Sequence, residues 1–288
     1  MSIELSEELR GWIGRKRVVE EDIGIGQVRR IAGMLDMDPE SFRRGDALPP
    51  HWFNLFFADA TLHSSLGPDG HPAPGVILPP IPLPRRMGAG RRVEMPGALR
   101  VGDAATRIAE VVAILPKQAR TGFITVLTMR HTIARGDEII ATEDFDAVYR
   151  EAVKPGEKSA TNAPVVAATE SDWVETRHLP PTLLFRYSAV TWNAHRIHYD
   201  ADYARDEEGY PATVQNGGLT MQLLLDAAWR HTKGRMLGFS ARLTRPIHVG
   251  DTITLRGARG ADGVVRCWVA DGQGFQCGEA ECRFGDAA

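Results

Sequence analysis

Residues 214–231 read VQNGGLTMQLLLDAAWRH. From about Gly218 to His231 the spacing predicts a helix, with Leu219, Leu223 and Ala227 on one side and Leu224 and Ala228 beside them. Such a helix is apolar over most of its surface, so it needs cover on most sides. The segments after it can supply that cover. GFSARLTRPI, DTITLRGAR, GVVRCWVADG and FQCGEAECRF are short, strand-like and broken by glycine turns, the texture of antiparallel strands. An α+β unit, one helix wrapped by a curled antiparallel sheet, is the economical way to bury both.

The same order occurs earlier in the chain. EDIGIGQVRRIAGMLDM places Val28, Ile31, Ala32 and Leu35 on one helical face, and is read as the long helix of the first half. ATRIAEVVAI, TGFITVLTMRHTIA and DEIIATEDFDAVY then read as strands. LRVGDAATRIAEV (99–111) echoes IHVGDTITLRGAR (247–259), with VGD at a turn between two strands each time. The echo predicts a duplicated domain, residues 1–150 and 173–288. Between them, EAVKPGEKSATNAPVVAATESD (151–172) has no large apolar residue except valine and reads as a linker. Residues 44–90 are dense in proline and glycine. A loop of that length in a compact domain is usually functional or mobile.

Composition excludes several classes. Net charge is −3 and the pI is near 6.3, so no basic field calls for nucleic acid or an anionic membrane. The N-terminus has early acids and no continuous apolar stretch, unlike a secretory signal, and no apolar run approaches a bilayer span. Cys267, Cys277 and Cys282 form no CxxC pair, so neither a disulfide framework nor a structural zinc is indicated. A cytoplasmic, reducing setting fits.

The densest polar cluster is TWNAHRIHYDADYA (191–204), which holds two of the nine histidines. A solvated loop, a metal site and a proton-transfer site are all open readings. His195 and His198 are spaced HxxH, but no convincing third and fourth metal ligands accompany them. His198 is the best-placed proton shuttle, with Asn193, His195 and Asp200 around it. Some fifteen residues on, Gly217 and Gly218 open the apolar helix. Glycine there permits close approach of a ligand, and the free N–H groups of a first turn favour developing negative charge. A base beside oxyanion donors, with no serine or cysteine nucleophile in view, points to proton transfer next to a carbonyl or to addition of water across a conjugated alkene.

This constellation resembles the MaoC-like, or hydratase 2, superfamily, which adds water to acyl thioesters or removes it on a hotdog fold. His198, Asp200 and Ala204 match that family's histidine, following aspartate and alanine. NGGL (216–219) resembles its His-Gly-x-Leu, and RPIHVGDTI (245–253) its later strand pair. FRYSAVTWNAHRIHYD, RRMGAGRRVEMPGALRVGD and KQARTGFITVLTMRHTIA resemble a two-hotdog subgroup that includes mesaconyl-C4-CoA and itaconyl-CoA-type hydratases and the mitochondrial type 2 hydroxyacyl-thioester dehydratase. The likeness covers most of the chain. One position departs: the family's catalytic aspartate is Asn193, and an amide cannot move a proton as a carboxylate does.

The resemblance implies a double hotdog with one active site per chain, built mainly from the second half, while the first half shapes the pocket. It implies an enoyl-CoA hydro-lyase acting on a short branched or dicarboxylic acyl group. No cofactor is required, because CoA belongs to the substrate. His198 would be the proton shuttle, Asn193 would orient water, and Gly217 and Gly218 would bind the thioester carbonyl. Arg91, Arg92, Arg120 and Arg196 would serve the CoA tail, with Arg196 the nominee for a substrate carboxylate. A homodimer is compatible. Dehydration of 3-hydroxyacyl groups on CoA or a carrier protein, thioester hydrolysis, and non-catalytic thioester binding are the alternative readings.

Overall fold

The computed structural model describes residues 4–286, apart from 120–121, 154–155 and 160. Among the described residues, ten strands make one antiparallel sheet. The first half supplies β1 (Lys16–Asp22), β2 (Arg85–Glu94), β3 (Ala104–Ala119), β4 (Gly122–Arg135) and β5 (Glu138–Arg150). The second supplies β6 (Trp173–His178), β7 (Met236–Leu243), β8 (Thr252–Arg259), β9 (Val265–Ala270) and β10 (Gln276–Phe284). Their order is β1-β3-β4-β5-β2-β7-β10-β9-β8-β6. Each half repeats one five-strand order, and the copies join edge to edge through β2 and β7, from Gly90 opposite Arg242 to Glu94 opposite Gly238. The helices are α1 (Glu7–Arg10), α2 (Ile25–Met34), α3 (Pro181–Val190), α4 (Ala201–Asp206) and α5 (Gly217–His231). None is long and apolar enough to cross a membrane.

The VGD echo marks equivalent turns. Gly102 and Gly250 have φ of 100° and 86°, where only glycine is comfortable. Gly102 N–H donates to Ile23 O, and Gly250 N–H to Leu179 O, each at 2.8 Å. Asp103 accepts from Arg100 N–H at 2.7 Å, and Asp251 from His248 N–H at 2.9 Å. A short signature thus encodes the same strand entry, into β3 and into β8.

α5 is the central helix of the second half. Ten consecutive residues, Leu219 to Ala228, are buried against β7, β8, β9 and β10. Here the first half differs from expectation. α2 is a helix as its spacing predicts, but it follows β1 as α3 follows β6, and it packs on α3. The place of α5 is taken by a short 3-10 helix, Pro50–Leu55, which touches α5 and β7. The rest of the concave surface is filled from the loop itself, where Ile81 and Leu83 pack with Val111, Ile114, Leu127, Met129 and Tyr149.

Candidate active site

His198 ends a one-turn 3-10 helix, Arg196–His198. Its Nδ1 lies 2.7 Å from the Val214 carbonyl. A carbonyl only accepts, so Nδ1 carries the hydrogen and Nε2 presents a lone pair. Val214 N–H donates in turn to Ile197 O at 2.8 Å. The segment entering α5 therefore holds the candidate stretch, Ile197 and His198, through both backbone groups of one residue. Burial pushes the His198 pKa down to about 3, against the opposing pull of the Val214 carbonyl. The imidazole is a neutral base at physiological pH.

At the start of α5, Leu219 and Thr220 N–H bond to Asn216 O. The N–H groups of Gly217 and Gly218 lie ahead of those bonds and have no intrahelical acceptor. Both glycines are packed closely. A Cβ on Gly217 would meet Leu243 Cδ1 at 2.6 Å, and one on Gly218 would overlap the Tyr187 hydroxyl. Gly218→Ala is expected to lower activity on the order of 10²-fold, the scale of a 1 Å misplacement of reacting groups. Adding Tyr187→Phe should recover part of that loss, because the hydroxyl is the atom struck. Steady-state rates of the single and double variants test both statements.

Asn193 is oriented by its neighbours. Its Oδ1 accepts from His195 N–H at 3.0 Å, and its own N–H donates to Ser188 O at 2.8 Å. Trp192, just before it, holds φ at 54°, a strained value for a bulky residue.

The proline-rich loop of the first half reaches this stretch. Arg196 N–H donates to Asp69 O at 2.8 Å, and Arg196 Nη1 to Pro68 O at 3.0 Å. Gly70, at φ 87°, lies so close to Ala194 O that any Cβ would collide with it. The loop thereby delivers His71, whose Nδ1 is 2.9 Å from Asp69 Oδ2. The His71 ring lies over His195 at 4.1 Å between centroids, and His195 meets His198 edge-on at 5.4 Å. Behind them, Glu208 lies 3.4 Å from His195 Nε2 and 3.1 Å from Arg85 Nε. Burial raises the Glu208 pKa, but His195 and Arg85 outweigh it and hold the carboxyl below its ordinary value. Burial pushes the His71 imidazole down to about 4. Asp69, His71 and His195 also have ligand atoms within 4.8 Å of one another, a spacing compatible with a divalent metal. His71 Nδ1, however, is already engaged by Asp69.

The arginines separate by strand geometry. Arg91 and Arg92 are successive residues of β2, so they point to opposite faces. Arg91 lies on the concave side, 2.9 Å from the buried Glu143 and over the Phe145 ring. Burial would raise the Glu143 pKa; Arg91 and His131 outweigh it and hold the carboxyl at about 2. Arg92 is exposed and paired with Asp146 at 2.6 Å, away from His198. Arg196 is engaged at 2.7 Å by Asp200, which also caps α4, and stacks over Tyr203. Arg120 lies outside the described residues. Arg86, not foreseen, is half-buried opposite Tyr149 and hydrogen-bonds its phenol. Its charge also depresses the His71 pKa, and among the described residues no carboxylate pairs with it.

Known proteins resemble this chain along most of its length. The family model for hydroxyacyl-thioester dehydratase type 2 matches residues 51–249. The chain belongs to that family. The mesaconyl-C(4)-CoA hydratase of Chloroflexus aurantiacus is 39% identical over 243 residues, 84% of this chain and 86% of the relative. The mitochondrial hydroxyacyl-thioester dehydratase type 2 of Schizosaccharomyces pombe is 34% identical over 89 residues, 30% of this chain and 29% of the relative. The fold is shared with a MaoC-like dehydratase of Phytophthora capsici, at TM-score 0.73 and 13% identity over 97% of each chain. It is shared too with a double-hotdog protein of Mycobacterium tuberculosis, at TM-score 0.59 and 16% identity over 94% of this chain and 95% of the other.

The double-hotdog sheet is as expected, with the central helix present only in the second half; the Val214 carbonyl, three residues before Gly217, holds His198 beside the start of α5, and Asn193 is tied to His195 and Ser188. Sequence reasoning missed Asp69, His71, Arg86 and Glu208. The one local signal was PDGH (68–71), an acid and a histidine two residues apart in the proline- and glycine-dense loop.

Proposed function

We propose that the chain hydrates an enoyl-CoA thioester bearing a short branched or dicarboxylic acyl group, of the mesaconyl-C4-CoA or itaconyl-CoA kind. The observation that carries this reading is the neutral His198, its Nε2 free, beside the open N-terminus of α5. The thioester carbonyl takes hydrogen bonds from Gly217 and Gly218 N–H. Water attacks Cβ, its proton passes to His198 Nε2, and the alkene electron pair moves toward the carbonyl oxygen. His198 then returns the proton to Cα. The helix N-terminus favours the enolate-like charge at the intermediate stage. Dehydration is the same path reversed. No cofactor is required. The three cysteines are buried thiols, with Cys267 and Cys282 Sγ 3.9 Å apart, which suits a reducing cytoplasm.

The mesaconyl relative supports a dicarboxylic substrate. Such a substrate places a second carboxylate beyond Cβ, and Arg86 is the cation positioned to meet it, since Arg196 is engaged by Asp200. Arg86→Ala is expected to lower kcat/KM for mesaconyl-C4-CoA on the order of 10–100-fold, the value of a charged hydrogen bond, and to leave crotonyl-CoA nearly untouched. The wider test incubates the protein with crotonyl-, mesaconyl-C4- and itaconyl-CoA, following alkene absorbance and free thiol separately. Loss of alkene without thiol supports hydration. Thiol release identifies a thioesterase, and neither signal leaves only binding.

A further inference from the structure

We propose that His71, fixed by Asp69, is the second hydrogen-bond acceptor for the attacking water, so that the catalytic centre is assembled from both halves of the chain. This rests on the hydration reading above.

A water aligned to attack has two O–H bonds to place, and its lone pair must be left for Cβ. His198 Nε2 accepts one of them. Asn193 is the weaker second acceptor: one of the two Oδ1 lone pairs already takes His195 N–H, which fixes the amide, and its nitrogen can only donate, toward the lone pair that must attack. The titratable groups that act on His198 are His195, His71 and Glu208. Glu208 is engaged by Arg85 and His195. His195 is buried, sandwiched under His71 and directed at Glu208. His71 alone combines partial exposure with a ring nitrogen left over.

Asp69 decides which nitrogen that is. Its carboxylate accepts from His71 Nδ1, so the hydrogen sits on Nδ1 and Nε2 carries the lone pair. The backbone N–H of His71 bonds the other Asp69 oxygen at 3.0 Å, which locks the dyad as one unit. The loop is held at the second half by Arg196 and by the Gly70–Ala194 approach. Charged and titratable groups around His71 are Asp69, Arg86 and His195, with Glu208 and His198 next beyond His195. Hydration stays balanced. One water proton goes to His198 and on to Cα, the hydroxyl stays on Cβ with its hydrogen directed at His71, and no further reactant is needed.

The decisive variant is Asp69→Asn. It keeps the shape of the loop but can offer an N–H to His71 Nδ1, moving the ring hydrogen to Nε2 and turning the acceptor into a donor. A comparable tautomer error in a serine-protease triad costs about 10⁴-fold; here, where His198 keeps the proton transfer, we expect kcat to fall on the order of 10²-fold with KM within a few-fold. His71→Ala should match it, and His71→Gln, whose amide oxygen accepts, should recover part of the rate. Nitrogen NMR of the wild-type imidazole gives a readout independent of turnover. The Nδ1–H tautomer at pH 7 is expected, and an Nε2–H tautomer overturns the proposal. It is overturned as well if the wild type hydrates a thioester while Asp69→Asn and His71→Ala turn over within three-fold of it. Loss of activity on chelation, restored by Zn²⁺, would instead make Asp69, His71 and His195 a metal site. A wild type with the expected tautomer and no hydration of any thioester rejects the function, not the dyad's geometry.

Discussion

His198→Ala lowers kcat by 10²–10⁴-fold, the usual cost of removing a positioned proton-transfer group, while the protein stays folded. The stability cost is about 1–3 kcal/mol, because the buried Val214 O loses its donor, and that lies within the margin of an ordinary folded protein. Activity within a few-fold of wild type would remove His198 from the mechanism. The pH profile sharpens the test. An unperturbed histidine base would give an acid limb near pH 6.5. His198 is held at about 3 and His71 at about 4, both by burial, so kcat/KM should be level from pH 8 down to about 5. Stability moves differently. In the unfolded chain both imidazoles titrate near 6.5. Their folded values are lower, so the native state binds fewer protons below that pH. Their contribution is intact above pH 6.5 and is lost as pH falls toward the folded values, at up to about 1.4 kcal/mol per pH unit for each group. A rate decline below pH 5 must therefore be compared with a circular dichroism trace at the same pH. Coincident losses report unfolding, and a rate loss in a folded sample reports titration.

Much of the second half was legible because its chemistry is local. The glycines at 217 and 218, the apolar run to Ala228 and the glycine-punctuated strands each carry their instruction within a few residues. The VGD echo was legible for the same reason: turn, cap and strand entry occupy adjacent positions. The first half misled because α2 has a genuine helical face, with Val28, Ile31 and Ala32 buried, and nothing in its own periodicity says that it packs on another helix. Only its order after β1, compared with α3 after β6, shows that. The dyad was hidden for a different reason. His71 meets His195 across a separation of 124 residues, and its position depends on Gly70 fitting against Ala194. No spacing rule encodes a contact of that kind. Arg196 shows the opposite case, a residue whose local partner was passed over. Its partner Asp200 lies four residues on, a separation at which side chains meet on a helical turn, yet its nearness to His198 suggested a ligand role. The structure spends that guanidinium on Asp200, Pro68 and Tyr203.

The second large effect is expected at the junction of the halves, far from the chemistry. Asp226, in the buried middle of α5, accepts from three side chains. His51 Nε2 lies at 2.6 Å, Trp52 Nε1 at 3.1 Å and Gln222 Nε2 at 3.1 Å. Two of these come from the 3-10 helix that stands in the first half where α5 stands in the second. The contact is buried: His51 is 0% and Asp226 1% exposed. Asp226→Ala strands three donors and opens a void, so it should destabilise the protein by about 3–5 kcal/mol, the range for breaking a buried polar pair from one side. His51→Ala should be similar, since it leaves the carboxyl group with two donors and a cavity. Removing both partners together should cost less than the sum, because the His51–Asp226 bond is lost once rather than twice, although Trp52 and Gln222 still lose their acceptor. For a protein of this size, each single change should lower Tm by roughly 10 °C, extrapolating from about 2–4 °C per kcal/mol. Denaturant melts of the two single variants and the double variant measure the coupling. Strict additivity would mean that water enters and satisfies the survivor. Eight residues separate Asp226 from Gly218, about 12 Å along the helix, so kcat at temperatures where the variants remain folded should stay near wild type. A fall in kcat without a fall in stability would show instead that this contact sets the position of the α5 N-terminus, and with it the carbonyl site.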